Sequence, residues 1–201
     1  MRAVVGLGNP GDEHARTRHN LGFLVVEELA RRWAVGFNRP RRGSRVARAR
    51  FEGEPVNLIE PLVFMNCSAD ALARLDADLR PLPEEMVVVH DDLDLSCGRV
   101  AVKQGGGTGG HRGLESLVRW GGREFARVRV GVGRPPAGQD ATTYVLRGFR
   151  ADERDLIDAA VRRAAEAVEA ILRDGVRRAM STFNTKPAAS AAGAETSEER
   201  R

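Results

Sequence analysis

Two side chains carry the most chemistry in this sequence: His19, in Thr17-Arg18-His19-Asn20, and Asp91, which opens Asp91-Asp92-Leu93-Asp94. A carboxylate beside an imidazole fixes the ring's tautomer and stabilises its protonated form, which makes the histidine a general base for water. Each follows a short apolar run, Ala3 to Val5 with its loop for His19 and Met86 to Val89 for Asp91. In a layered sheet both runs can end at one edge, so the fold can join what the chain separates. Asn9 and Asn66 each stand at the end of an apolar element, where an amide can hold a water or a substrate carbonyl, or simply cap a turn. The remaining histidines, His14, His90 and His111, also sit beside loop motifs, and a lone histidine is more often structural than catalytic.

Other chemistries fit less well. There is no GxSxG elbow, and Cys67 in Asn66-Cys67-Ser68 has no basic neighbour to make it a thiolate, so water is the expected nucleophile. Asp91, Asp92 and Asp94 are hard oxygen ligands of the kind magnesium takes. No second acidic cluster or pair of histidines completes a shell, and no metal is expected. Gly6-Leu7-Gly8-Asn9-Pro10-Gly11 fits GxGxxG, but Pro10 and the charged stretch after it delay the helix whose amino terminus would face a pyrophosphate. It reads better as a turn that presents Asn9. Gly105-Gly106-Gly107-Thr108-Gly109-Gly110 lacks the GK[ST] ending of a P-loop; five glycines in six residues cost chain entropy and let the backbone approach a ligand closely.

The elements that must position these residues follow from periodicity. Ala3 to Val5 reads as a buried strand, and Leu21, Leu24, Val25, Leu29 and Trp33 recur at helical spacing with Asn20 available as the cap. The arginine-rich stretch 39–50 reads as a loop leading into a strand. Val46 to Phe51 and Pro55 to Ile59 flank Glu52-Gly53-Glu54 as an antiparallel hairpin. Ser68 to Leu79 reads as a helix with Leu72, Leu75 and Leu79 on one face. Strands are expected at Met86 to Val89, Arg99 to Lys103 and Arg127 to Val132, and helices at His111 to Trp120 and Ala151 to Leu172. The interleaving predicts an α/β protein, a single domain over residues 1–184 with a layered sheet that the hairpin makes mixed. Residues 185–201 have no large apolar side chain and read as a disordered, low-complexity tail.

Size and composition agree with that picture. The chain has 201 residues, 42% hydrophobic, with 32 basic and 28 acidic side chains for a net charge of +4. Thirty of the cations are arginines, a mild excess that permits a polyanionic partner without requiring one. Two cysteines are too few for a disulfide framework and suit a reducing cytoplasm; no signal-peptide core and no run of about 20 apolar residues is present, so no membrane association is expected.

Taken together, GLGNPG with TRHNLG, FMNCS, VVVHDDLDL, GGGTGGHRGL, RVRVGVGRP and YVLRGF resemble the bacterial peptidyl-tRNA hydrolase family in order and spacing over residues 1 to about 184. The resemblance implies a mixed, twisted sheet flanked by helices, of the phosphorylase/hydrolase-like kind, and a monomer that uses neither metal nor cofactor. It implies hydrolysis of the ester between a peptide and the 3′-terminal ribose of tRNA. Carried over by position, His19 is the catalytic histidine and Asp91 its carboxylate, Asn9 and Asn66 orient water and substrate, and Phe64 belongs to the substrate cleft. Lys103 and Arg129 match basic positions associated with tRNA, and His14, Asn20, Met65, Gly109, His111 and Arg112 complete the substrate-binding set. Two residues depart from the pattern: His14 stands where tyrosine is frequent, and Arg112 where many members have asparagine. Arg162, Arg163, Arg173, Arg177 and Arg178 would extend a cationic face, or are simply solvated. Arg112 and the arginine content also fit another reading, an RNA-binding relative of the intron-splicing type without turnover; the intact His19, Asp91, Asn9 and Asn66 set argues against it.

Overall fold

A computed structural model describes residues 2–185, and the expected tail from residue 186 onward lies outside the described residues. Six strands form one sheet in the order β2-β3-β1-β4-β6-β5: β1 (Arg2–Gly6), β2 (Ser44–Phe51), β3 (Glu54–Pro61), β4 (Met86–Asp92), β5 (Val100–Gln104) and β6 (Ala126–Gly131). The four inner strands β3, β1, β4 and β6 are parallel, and β2 and β5 run antiparallel at the two edges. The sheet is therefore mixed, as expected. The β2–β3 hairpin turns through Glu52 and Gly53, both at positive φ (51° and 87°), the two-residue turn whose twist suits antiparallel strands.

Strand alternation divides the core. Val87 and Val89 point to one face with Val4, Leu58 and Val128, covered by α1 (Leu21–Arg32) and α5 (Arg154–Asp174) through Leu21, Val25, Leu29, Ala164 and Val168. Met86 and Val88 point to the other with Val5 and Ile59, covered by α2 (Ser68–Ala73) and α3 (Arg112–Gly121) through Leu72, Leu114 and Leu117. Two short helices were not anticipated: α4 (Ala141–Val145), capped by Asp140, and α6 (Val176–Phe183), set off from α5 by Gly175 at φ 83°.

Two expectations change. The helix expected over Ser68 to Leu79 ends at Ala73, because Asp76 takes over: its carbonyl receives Leu79 and Arg80 N–H in a separate turn, while Leu75 stays buried. Asn20 does not cap α1 with its side chain. Gly6 at the end of β1 and Gly22 in the first turn of α1 allow close packing: a Cβ at Gly6 would lie 2.4 Å from the Gly22 carbonyl oxygen, and one at Gly22 would lie 2.3 Å from the Leu7 nitrogen. Side chains at either position would push α1 off the end of β1. With both absent, the helix starts directly over the carboxyl ends of β1 and β4, where Leu7 N–H bonds the Val89 carbonyl at 2.9 Å.

Candidate active site

His19 lies in the single helical turn Arg18–Asn20 just before α1, and Asp91 at the carboxyl end of β4. The His19 Nδ1 is 2.8 Å from Asp91 Oδ1, with the two side chains 12% and 3% exposed. His111 reaches the same oxygen from the start of α3, its Nε2 at 3.1 Å. The His111 Nδ1 accepts the Leu114 N–H as the helix cap at 3.3 Å, so its proton is on Nε2 and is donated to Asp91. Asp91 Oδ1 thus receives two imidazole N–H groups. His19 gives its Nδ1 proton to this bond and keeps its Nε2 lone pair for chemistry. Burial works against charge on Asp91, but the adjoining His19 and His111 rings and the hydrogen bonds they donate favour the anion and hold the carboxyl well below the ordinary carboxylate range. It is an anion throughout the neutral range.

His19 is anchored through both of its chain neighbours. Arg18 is buried, donates to Glu153 at 2.7 Å, and lies over the rings of Tyr144 and Phe149. Asn20, buried on the other side of His19, uses its amide on Asn9: its oxygen accepts the Asn9 N–H and its nitrogen donates to the Asn9 carbonyl, both at 2.9 Å. Asn20 was expected among the substrate contacts; at 1% exposure it has no surface to offer one. The Asn9 side-chain oxygen in turn accepts the Met65 N–H at 2.9 Å. This bond ties the turn Met65–Cys67, and with it the exposed Asn66 and Phe64 (70% exposed), to the loop before His19. Met65 itself is buried against Gly113, where a Cβ would come within 2.6 Å of its sulfur. His14 stays half-buried beside Glu13, 3.9 Å from its carboxylate.

A cavity of about 530 Å³ opens beside the histidines. Of the residues expected to act on substrate, it brings together His19, Asp91, Lys103, Gly109, His111, Arg112 and Arg129. Asn9, Asn66, Phe64, Met65, His14 and Asn20 are not part of its lining. The acids of the Asp91 to Asp94 turn are committed elsewhere. Asp92 accepts from Arg129 at 2.7 Å, a bond that outweighs burial and keeps its carboxyl below the usual range, and Asp94 pairs with Arg134. The ligand atoms of His19, Asp91 and His111 lie within 4.8 Å of one another, the composition of a metal site, but an ion there must displace both imidazole protons from Asp91.

Two residues of the site escaped the sequence reading. Arg127 is 2% exposed and donates to the carbonyls of Gly106 and Gly107 at 2.9 and 2.6 Å, clamping the glycine loop over the cavity. His90 lies buried under His111. The signal was strand alternation: Arg127 and Arg129 share one face of β6, and His90 pairs in register with Arg129. None of Arg162, Arg163, Arg173, Arg177 and Arg178 lines this cavity. Arg173 pairs with Glu52, in the hairpin turn at the opposite end of the sheet, and Arg163 lies over Phe183.

A family model described as peptidyl-tRNA hydrolase matches residues 3–191. A protein of Rubrobacter xylanophilus called peptidyl-tRNA hydrolase is 47% identical over 182 residues, covering 90% of this chain and 99% of its own length. Another of that name, from Thermodesulfovibrio yellowstonii, is 37% identical over 187 residues, 92% of this chain and 99% of its own. The crystal structure of the Acinetobacter baumannii peptidyl-tRNA hydrolase superposes with a TM-score of 0.84 at 36% identity, over 92% of this chain and 94% of that one. A uridine phosphorylase of Vibrio fischeri shares the fold alone, at a TM-score of 0.51 and 10% identity over 86% of this chain and 91% of its own.

Proposed function

The chain belongs to the peptidyl-tRNA hydrolase family, and we propose that it cuts the ester between a peptide and the 3′-terminal ribose of tRNA with a water activated by His19. The observation that carries this reading is the 2.8 Å bond from His19 Nδ1 to a buried Asp91 carboxylate, which leaves Nε2 as the base. His19 takes a proton from water as the water attacks the ester carbonyl, Asp91 stabilises the imidazolium that forms, and the proton then passes to the departing ribose hydroxyl. Asn66 and the Asn9 amide, placed on neighbouring loops by the Asn9–Met65 bond, supply donors for the carbonyl oxygen and the water. Phe64, exposed on the same turn, offers an apolar surface to the peptide. Lys103, Arg112 and Arg129 line the cavity on the glycine-loop side and suit the phosphates of the tRNA end.

The same reading makes residues 1–184 the catalytic domain, and a monomer in the cytoplasm its working form. The His19, Asp91 and His111 cluster is assembled within one chain, both cysteines are free, and no helix of the described residues is long and apolar enough to cross a membrane. The experiment is peptide release from peptidyl-tRNA by wild type and His19→Ala. Loss of turnover with RNA binding retained is expected, whereas full activity in the variant would sink the assignment.

A further inference from the structure

His90 has no part in the steps above, yet it stands inside the cluster that performs them. Its Nδ1 is 2.7 Å from the Asp91 carbonyl oxygen. Only an N–H can bond a carbonyl, so the proton sits on Nδ1 and Nε2 is left as a bare acceptor, buried and without a partner among the described residues. Burial, with His111 adjacent, pushes its pKa down to about 3, and the ring is neutral at working pH. Its ring meets that of His111 edge-on, with centroids 5.1 Å apart, and the ring of His111 lies 4.8 Å from that of His19. A buried unpartnered acceptor lowers stability, and an aromatic hydrocarbon would fill the same space without that penalty. The imidazole therefore has a use that its packing does not explain.

We propose that His90 is a positioning residue for the hydrolysis, a neutral donor that fixes Asp91 from behind its main chain and the ring of His111 from beneath. Consecutive strand residues face opposite sides of a sheet. Asp91 turns toward α1 and His19, while His90 turns toward α3 and His111. The Nδ1–H bond to the Asp91 carbonyl joins the two faces through one peptide unit, so that Asp91 Oδ1 stays aligned with both imidazoles. Neutrality is part of the task. A cation here would lie next to His111, Asp91 and Asp92 and opposite Arg129 on β6, and would draw the Asp91 charge away from His19.

This inference rests on His19 and Asp91 being base and orienting acid, and its test is separable from theirs. Kinetics on peptidyl-tRNA and thermal melting are measured for wild type, His90→Phe and His90→Asn, the last retaining an N–H donor without the ring. His90→Phe is expected to melt no lower than wild type while kcat falls about 10- to 100-fold with KM little changed, as a small misplacement of reacting groups does. His90→Asn is expected to recover much of that loss. Nitrogen NMR should show His90 as neutral Nδ1–H from pH 5 to 9. Wild-type kcat in His90→Phe, a loss that only follows the folded fraction, an Asn variant no better than Phe, or protonation of His90 above pH 6 would each overturn the proposal. His19→Ala in the same assay distinguishes the two ideas: activity surviving there counts against the base, not against His90.

Discussion

Asp91→Asn removes the charge of the orienting group and little else, because the amide oxygen can still accept from both imidazoles and the side chain fills the same volume. The imidazolium that forms on His19 during attack then loses its counter-charge. With 2.8 Å between the bonded atoms, the spread charge of the ring lies roughly 4 Å from the carboxylate. At an effective dielectric of about 20 that attraction is about 4 kcal/mol. At about 1.4 kcal/mol per decade this corresponds to a loss in kcat of roughly a thousandfold. Single-turnover peptide release from saturating peptidyl-tRNA reads the chemical step directly, and KM should move far less than kcat. A second readout carries the sign of the linkage. The Asp91 carboxyl titrates lower in the folded protein than in the unfolded chain, so its contribution to stability is complete above about pH 4 and is lost as acid protonates it. The variant should lack that part of the acid-side loss. A folded Asp91→Asn enzyme within about tenfold of wild type would refute the reasoning, since a charge worth that little cannot be what makes His19 a base.

Other outcomes follow from the same geometry. Gly22→Ala puts a methyl group 2.3 Å from the Leu7 nitrogen, and since backbone cannot swing away the fold should lose about 1–3 kcal/mol or more, read by denaturant melts; an unchanged midpoint would contradict the close approach. Arg129→Ala should weaken tRNA binding across sequences and lower the slope of log affinity against log salt by about one, and an unchanged slope would remove Arg129 from the phosphate contacts. Glu60, buried beside Arg45, has its carboxyl pushed up to about 7 by burial. A folded-state pKa above the unfolded one contributes stability below about pH 4.5 that is lost as pH rises through 7. Glu60→Gln should therefore flatten the fall in melting temperature between pH 5 and 8, and an equally steep fall would assign that slope to other groups.

Much of this was legible from spacing. The parallel strands that carry His19 and Asp91 to one sheet end announced themselves as short β-branched runs stopped by glycine or acid, and the Glu52-Gly53 hairpin by its turn residues. What the sequence withheld were contacts between distant segments. The bond from His111 to Asp91 depends on where α3 begins, and no local pattern says that its cap will face β4. Asn20 looked like a cap because capping is what asparagine does locally; its real partner is Asn9, across a loop whose path only the fold determines. Helix α2 fell short because Asp76 offers a competing turn, a contest between two local preferences that periodicity does not weigh. Arg127 hid in the same way: a charged residue in a strand reads as solvent-facing until a glycine loop folds over it.

The cap on α3 places one proton of the site outside the reach of ordinary substitution. As a neutral ring His111 donates to Asp91 only in the tautomer whose other nitrogen accepts, and the group it accepts from is the main-chain N–H of Leu114, which every residue but proline supplies. A side-chain partner could drift away by mutation; a backbone amide at the start of a helix cannot. Protonating His111 would remove that acceptor and set a positive charge against the positive end of the helix. The tautomer of the catalytic cluster is in this sense written into secondary structure, and it persists for as long as the first turn of α3 does.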